Sequence, residues 1–135
     1  MKISSSIKNI VNEITEWRHQ LHANPELGYE ETWTSDFICK KLKAFGIEIH
    51  TGLGGTGVVG VLKGNGSVSN RAIGLRADMD ALPIQEENEV SYKSNNKGKM
   101  HACGHDGHVA MLLGAAKVLS EQKEFDGTVY FIFQP

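Results

Sequence analysis

Arg71-Ala72-Ile73-Gly74-Leu75-Arg76-Ala77-Asp78-Met79-Asp80-Ala81-Leu82-Pro83 runs from a strand with a mostly apolar interior, Arg71 to Arg76, into two carboxylates and a proline. The segments downstream of this strand make the chain an α/β protein. Asp106 to Ser120 carries Val109, Leu112, Leu113, Ala116 and Leu119 at helical spacing, and Thr128 to Phe133 is an almost wholly apolar strand of the kind covered on both faces. Strand, helix and strand in that order form a crossover, so the two strands are expected to lie parallel in one sheet. Open α/β sheets hold ligands outside the carboxyl ends of their strands. Asp78 and Asp80 leave a strand expected to be buried at that end, so they are candidates for a ligand site; the alternative is that one of them only caps the turn before Pro83.

The segment from Gln85 to Lys99 is polar and has neither helical nor strand period, so it reads as a long loop. It delivers Met100-His101-Ala102-Cys103-Gly104-His105-Asp106-Gly107-His108, where three histidines, one cysteine and one aspartate fall within eight consecutive positions. Thiolate and imidazole suit zinc, and imidazole with carboxylate also admits manganese, cobalt or nickel. Cys103 and His105 are the candidate metal ligands. His101 taken alone reads as a solvated loop histidine, and His108 stays open between ligand, substrate contact and packed surface. A closed structural zinc site usually draws on two separated ligand pairs, whereas this run is a single cluster that would supply only part of a site. Gly104 and Gly107 relax the backbone, and Asp106 is placed to cap the helix beginning there. The small residues Gly114, Ala115 and Ala116 would let that helix pack closely on a sheet.

Upstream, from Ser4 onward, Ile7, Ile10, Val11, Ile14, Trp17 and Leu21 recur at three- and four-residue spacing and predict an amphipathic helix ended by Asn24-Pro25. Glu30 and Glu31 open a second helix with Phe37, Ile38, Leu42 and Phe45 inward and Gly46 as its stop. A short strand, Ile47 to His50, and a strand-like Val58 to Leu62 flank the glycine-rich run Thr51 to Gly57. No lysine followed by serine or threonine closes that run, so it is a hairpin turn and not a phosphate loop. Gly64 to Asn70 is a polar turn. The expected architecture is a layered mixed sheet flanked by helices.

The whole has 135 residues, 40% hydrophobic and 22% charged, with a net charge of -2. That is the size and composition of one soluble domain, and it gives no reason to propose nucleic acid or a membrane as partner. No apolar run reaches the length of a membrane span, and Met1 to Ile10 lacks the apolar core of a signal peptide, so a cytoplasmic location is expected. In that compartment Cys39 and Cys103 are thiols, Cys39 as a small core residue.

Three blocks carry a resemblance: Arg18-His19-Gln20-Leu21-His22 with Asn24-Pro25-Glu26-Leu27-Gly28, then Gly74 to Pro83, then Met100 to His108. In this order they resemble the successive motifs of the metal-dependent amidohydrolases that act on N-acyl amino acids. That group includes hippurate hydrolases, bacterial N-acyl-amino-acid amidohydrolases and plant hydrolases of indoleacetyl-amino acids. The resemblance implies a zinc-peptidase-like catalytic domain, two divalent metals (manganese or zinc), and hydrolysis of an N-acyl amino acid to a carboxylic acid and a free amino acid. Cys103 and His105 match the family's first two metal ligands. Asp80 matches an acidic catalytic position that elsewhere in the superfamily follows a ligand histidine by two residues and orients it; Asp78 stands at that histidine's place.

Members of the family continue past Gln134-Pro135 into Ala-Glu-Glu, which supplies a general base and a ligand. Residues 1–135 are therefore expected to be the N-terminal part of the catalytic domain, inactive alone, with the rest of that domain and a dimerisation or lid domain absent. Expected partners are the small-molecule substrate and a complementary C-terminal fragment, or a second copy in the full-length form. The competing reading is a non-catalytic, metal-binding remnant that pairs with another chain.

Overall fold

The computed structural model describes residues 5–66 and 68–135; Ser4, where the first helix was expected to start, and Ser67 of the polar turn lie outside them. The elements are α1 (Ser5–Ala23), α2 (Thr32–Ala44), β1 (Glu48–Leu53), β2 (Gly57–Lys63), β3 (Ala72–Asp78), α3 (His105–Gln122) and β4 (Thr128–Gln134). The four strands form one mixed sheet in the order β1-β2-β4-β3. β1 with β2 and β2 with β4 are antiparallel, whereas β3 and β4, joined through α3, are parallel.

Register explains which residues meet the helices. Val58, Gly60 and Leu62 lie opposite Phe133, Phe131 and Val129, and on the other side of β4 Leu75 and Ala77 lie opposite Phe131 and Phe133. Because side chains alternate along a strand, these share one face, and Val58, Leu62, Val129, Phe131 and Phe133 are all buried there. With Trp17 and Leu21 of α1, Ile38 and Leu42 of α2, and Val109 and Leu113 of α3 they form one core. α2 crosses β2 where it has no side chain: a Cβ on Gly60 would stand 3.1 Å from Ile47 and 3.2 Å from Leu42.

Three expectations are corrected. β4 is not covered on both faces, since Tyr130 is exposed and Ile132 half-buried on the face away from the helices. β3 is not a buried strand. Among the described residues it is the edge of the sheet, and Ile73 on its inward side is 56% exposed. Gly114 serves a helix contact and not a sheet contact: a Cβ there would lie 2.5 Å from Ile14 Cδ1, so the glycine lets α1 and α3 approach closely. Glu31 opens α2 as its N-cap, as expected, and makes no side-chain cap bond; its carboxylate, fully buried, accepts from the Thr56 hydroxyl at 2.6 Å. Cys39 is a free thiol packed at the core's margin, and burial raises its pKa above the ordinary value. Among the described residues no helix is long and apolar enough to cross a membrane.

Candidate metal centre

The parallel strands β3 and β4 end together, with Asp78 opposite Gln134 and the Met79 N–H donating to the Gln134 carbonyl at 2.9 Å. The chain leaving β3 is then pinned twice. Ala81 N–H donates to the Glu26 carbonyl at 2.7 Å, and Leu82 and Met100 exchange backbone hydrogen bonds, each 3.0 Å. The second pairing closes the base of the long loop, so Met100 re-enters beside the end of β3. Gly104, at φ 106°, turns the chain into α3 through a conformation that side-chain-bearing residues rarely adopt.

That turn sets His105 against Asp80. The His105 Nδ1–H donates to Asp80 Oδ1 at 2.8 Å and to the Asp80 carbonyl at 3.0 Å. With the proton on Nδ1, the other nitrogen of a neutral imidazole is a lone pair, and His105 Nε2 faces Asp78 Oδ2 at 3.4 Å. One helical turn on, His108 donates from Nδ1 to Asp78 Oδ1 at 2.7 Å, and its ring stacks on that of His105 with centroids 5.5 Å apart. Arg76 donates to Asp78 Oδ2 at 3.2 Å. Burial raises the Asp78 carboxyl's pKa, but the His108 hydrogen bond, its own backbone N–H, the charge that His105 carries when protonated and that of Arg76 outweigh this and leave it below the ordinary value.

One ligand atom from each of Asp78, His105 and His108 lies within 4.8 Å of the others. When His105 is neutral, its Nε2 lone pair faces Asp78 Oδ2, and a cation between the two relieves their repulsion. A histidine whose second nitrogen is tied to a carboxylate is also the usual arrangement behind a bound metal. The donor set therefore fits a divalent ion that accepts imidazole and carboxylate. Asp80 and His105 are thus brought together, and Asp78 and His108 join them. Cys103 is exposed and stands outside this group.

Two readings of the metal segment are corrected. Asp106 does not cap α3; Gly104 does, and α3 has no side-chain cap bond. His101 is not solvated but 4% exposed, with neither ring nitrogen paired among the described residues. Burial is the main reason its pKa falls to about 4, with His22 and His105 adding to it against the pull of Asp106 and Asp80.

Behind the metal segment lies a polar network that the sequence did not announce. Asp106, 1% exposed, takes the His22 Nδ1–H at 2.7 Å and Arg18 Nε–H at 2.9 Å on one oxygen, and the Gly107 N–H at 2.9 Å on the other. His22 Nε2 meets Glu86 Oε1 at 3.0 Å, and Glu86 also accepts from the Ser94 N–H at 2.6 Å and the Asn88 amide at 3.1 Å. Tyr92 of the same loop stacks on His19, centroids 3.8 Å apart, so the loop is fastened to the last turns of α1. The available signal was the pair of histidines in the last turns of α1, but the partners of His22 are 64 and 84 residues away.

Glu86 makes the network sensitive to acid. Burial would raise its carboxyl's pKa, but the Ser94 N–H and the side chains of His22 and Asn88 bring it from 4.5 to about 2. The folded state therefore binds this proton less readily than the unfolded one. Its contribution is complete above about pH 5 and is lost as pH falls through 4 towards 2, on the order of 3 kcal/mol in all. In urea unfolding, the stability difference between wild type and Glu86→Gln is expected to be largest at pH 6 and to shrink by pH 2.5; a difference independent of pH would refute this.

Comparison with known proteins gives the site its context. Residues 74–135 match the model of peptidase family M20/M25/M40. Over all of its length the chain is 51% identical to hippurate hydrolase from Campylobacter jejuni, and over 98% of it 42% identical to N-acyl-L-amino acid amidohydrolase from Geobacillus stearothermophilus. It covers 34% and 36% of those proteins. Among solved structures, the YXEP protein of Bacillus subtilis, described as a dinuclear metal binding peptidase of family M20, superposes with a TM-score of 0.87 at 40% identity, over 95% of this chain and 36% of that one. The chain spans about a third of the length of the relatives it matches, and its similarity to peptidase family M20/M25/M40 lies in residues 74–135.

Proposed function

We propose that these residues supply part of the catalytic domain of a metal-dependent amidohydrolase that cleaves the amide bond of N-acyl amino acids of the hippurate type. The observation that carries it is His105, tied through Nδ1 to Asp80 while its Nε2 faces Asp78 beside His108. His105, Asp78 and His108 would hold one divalent ion, manganese or zinc. Cys103, two residues before His105, is assigned to the same centre on the family resemblance, as a thiolate ligand to one of two ions. When bound, such ions lower the pKa of water towards about 7 and polarise a carbonyl.

The chain's own residues do the rest. Asp80 fixes the tautomer and direction of His105, so the nitrogen aimed at the ion is a lone pair without rearrangement. Arg76 holds the Asp78 carboxylate by the same oxygen that His105 Nε2 faces. α3 begins at this point, and the positive end of its dipole favours the carboxylate of an acyl amino acid. The proposed parent domain covers residues 1–135. Among the described residues the acids at His105 are the two aspartates already engaged there, and the 135-residue chain alone is expected to show no appreciable turnover.

The test is a graft. Residues 1–135 replace the matching third of the Campylobacter jejuni enzyme, and the chimera is assayed with manganese or cobalt on hippurate and N-acetyl amino acids. Turnover in the chimera that disappears with His105→Ala is the expected result. A folded, metal-loaded chimera without turnover would reject the amidohydrolase reading and leave a binding module.

A further inference from the structure

The metal segment is held from two sides, and only one of them belongs to the metal centre. On a helix successive residues are about 100° apart. His105 and His108 therefore lie within about 60° of each other, towards β3, while Asp106 points to the other flank, towards α1. There it is buried and held on both oxygens: Arg18 and His22 on one, Gly107 N–H on the other. His22 is itself clamped, one ring nitrogen on Asp106 and the other on Glu86, which the loop residues Ser94 and Asn88 hold in turn. Each nitrogen of His22 faces a carboxylate, so the ring has one orientation and cannot flip without losing a bond. We propose that His22 and Asp106 are positioning residues that set the rotation of the first turn of α3, and with it the direction of His105 and His108. This deepens the metal-centre reading and rests on it.

A buried cluster of this kind is a costly way to hold a helix in place, since well-packed apolar residues of similar size are often as stabilising or more so. What a network of paired charges adds is direction. α3 has no side-chain cap at its start and opens from a left-handed glycine, so its first turn has little of its own to fix its rotation. The Asp106 to His22 bond spans 84 residues of sequence and ties that turn to the rigid end of α1. Partners behind metal ligands that act in this way typically change metal affinity by about 10- to 100-fold when removed.

Cobalt(II) binding to the full 135-residue chain, read by its absorption spectrum and by competition with a chelator, tests the proposal. Asp106→Asn keeps the shape and the Gly107 bond; His22→Ala removes the other partner. Each is expected to weaken cobalt binding about tenfold or more, and the double variant no further than the weaker-binding single one, because both act through one bond. A core variant, Leu42→Ala, should lower the melting temperature without moving cobalt affinity. In the metal-free chain, amide exchange should accelerate at Gly107 and His108 in the two variants, with Val58 and Phe131 unchanged. Affinities within about twofold of wild type, or losses that multiply in the double variant, overturn the proposal. A wild-type chain that binds cobalt no better than His105→Ala overturns the metal reading instead. Local exchange then still decides the positioning role, which falls if Gly107 and His108 exchange at wild-type rates.

Discussion

Replacing His105 with alanine is expected to remove specific binding of a divalent ion to this chain, with a loss of at least about 100-fold in affinity for cobalt or zinc. Residues that merely support a ligand typically contribute about 10- to 100-fold; deletion of the ligand itself belongs at or beyond the top of that range. Among the described residues His105 is the one that touches both aspartates, Asp80 through Nδ1 at 2.8 Å and Asp78 across 3.4 Å from Nε2. Its loss leaves Asp78 paired only with His108 and Arg76. His108→Ala, which removes the exposed one of the two histidine ligands, should cost less than His105→Ala but still about 100-fold. Even in wild type the binding should be far weaker than the roughly 10–16 kcal/mol of a zinc finger. Isothermal titration against a chelator checks the order. Equal affinities for His105→Ala and wild type would move the centre elsewhere, with Cys103 the first residue to test.

Phe131→Ala is expected to have the largest effect on folding, a loss of about 3–5 kcal/mol. The side chain is fully buried at the middle of β4, with Gly60 of β2 on one side and Leu75 of β3 on the other. Its removal opens a cavity where the sheet meets the helices. A domain of this size has about 5–15 kcal/mol in total, so most of the margin goes, and the midpoint of thermal unfolding should fall by roughly 10–20 °C. The neighbour on the other face is the control. Tyr130 is 39% exposed, and Tyr130→Ala should cost only about 1 kcal/mol. Similar losses from both changes would mean that β4 is covered on both sides in solution.

Much of this architecture was legible because it is written in local patterns. The three-four spacing from Ile7 to Leu21 and the apolar run Val129 to Phe133 specify their elements within a few residues. The crowding of histidine, cysteine and aspartate after Met100 marks the metal segment without any knowledge of the fold. The hidden features depend on who the neighbours are. Ile73 and Leu75 read as interior residues, yet β3 borders the sheet, and edge position is a property of topology and not of composition. Gly114 reads as a sheet contact because its partner, Ile14, lies a hundred residues earlier on another helix. His101 reads as solvated because a single histidine in a polar stretch carries no record of the chain that closes over it. Asp106 reads as a cap from its place before an apolar period; the bond it makes instead requires His22, which nothing near it in sequence announces.

The pairing of Asp106 with His22 also bears on how the chain reaches its native state. Asp80 and His105 are 25 residues apart and Asp78 and His108 are 30, while the bond that orients their helix closes a separation of 84. Loop closure must precede any reward from such contacts, and non-local contacts of this kind slow folding. The ligand geometry is therefore expected to assemble late, after the crossover has formed and α1 has docked. Metal added to a refolding chain should leave the folding rate unchanged and slow only unfolding, because the ion meets its ligands after the rate-limiting barrier has been passed.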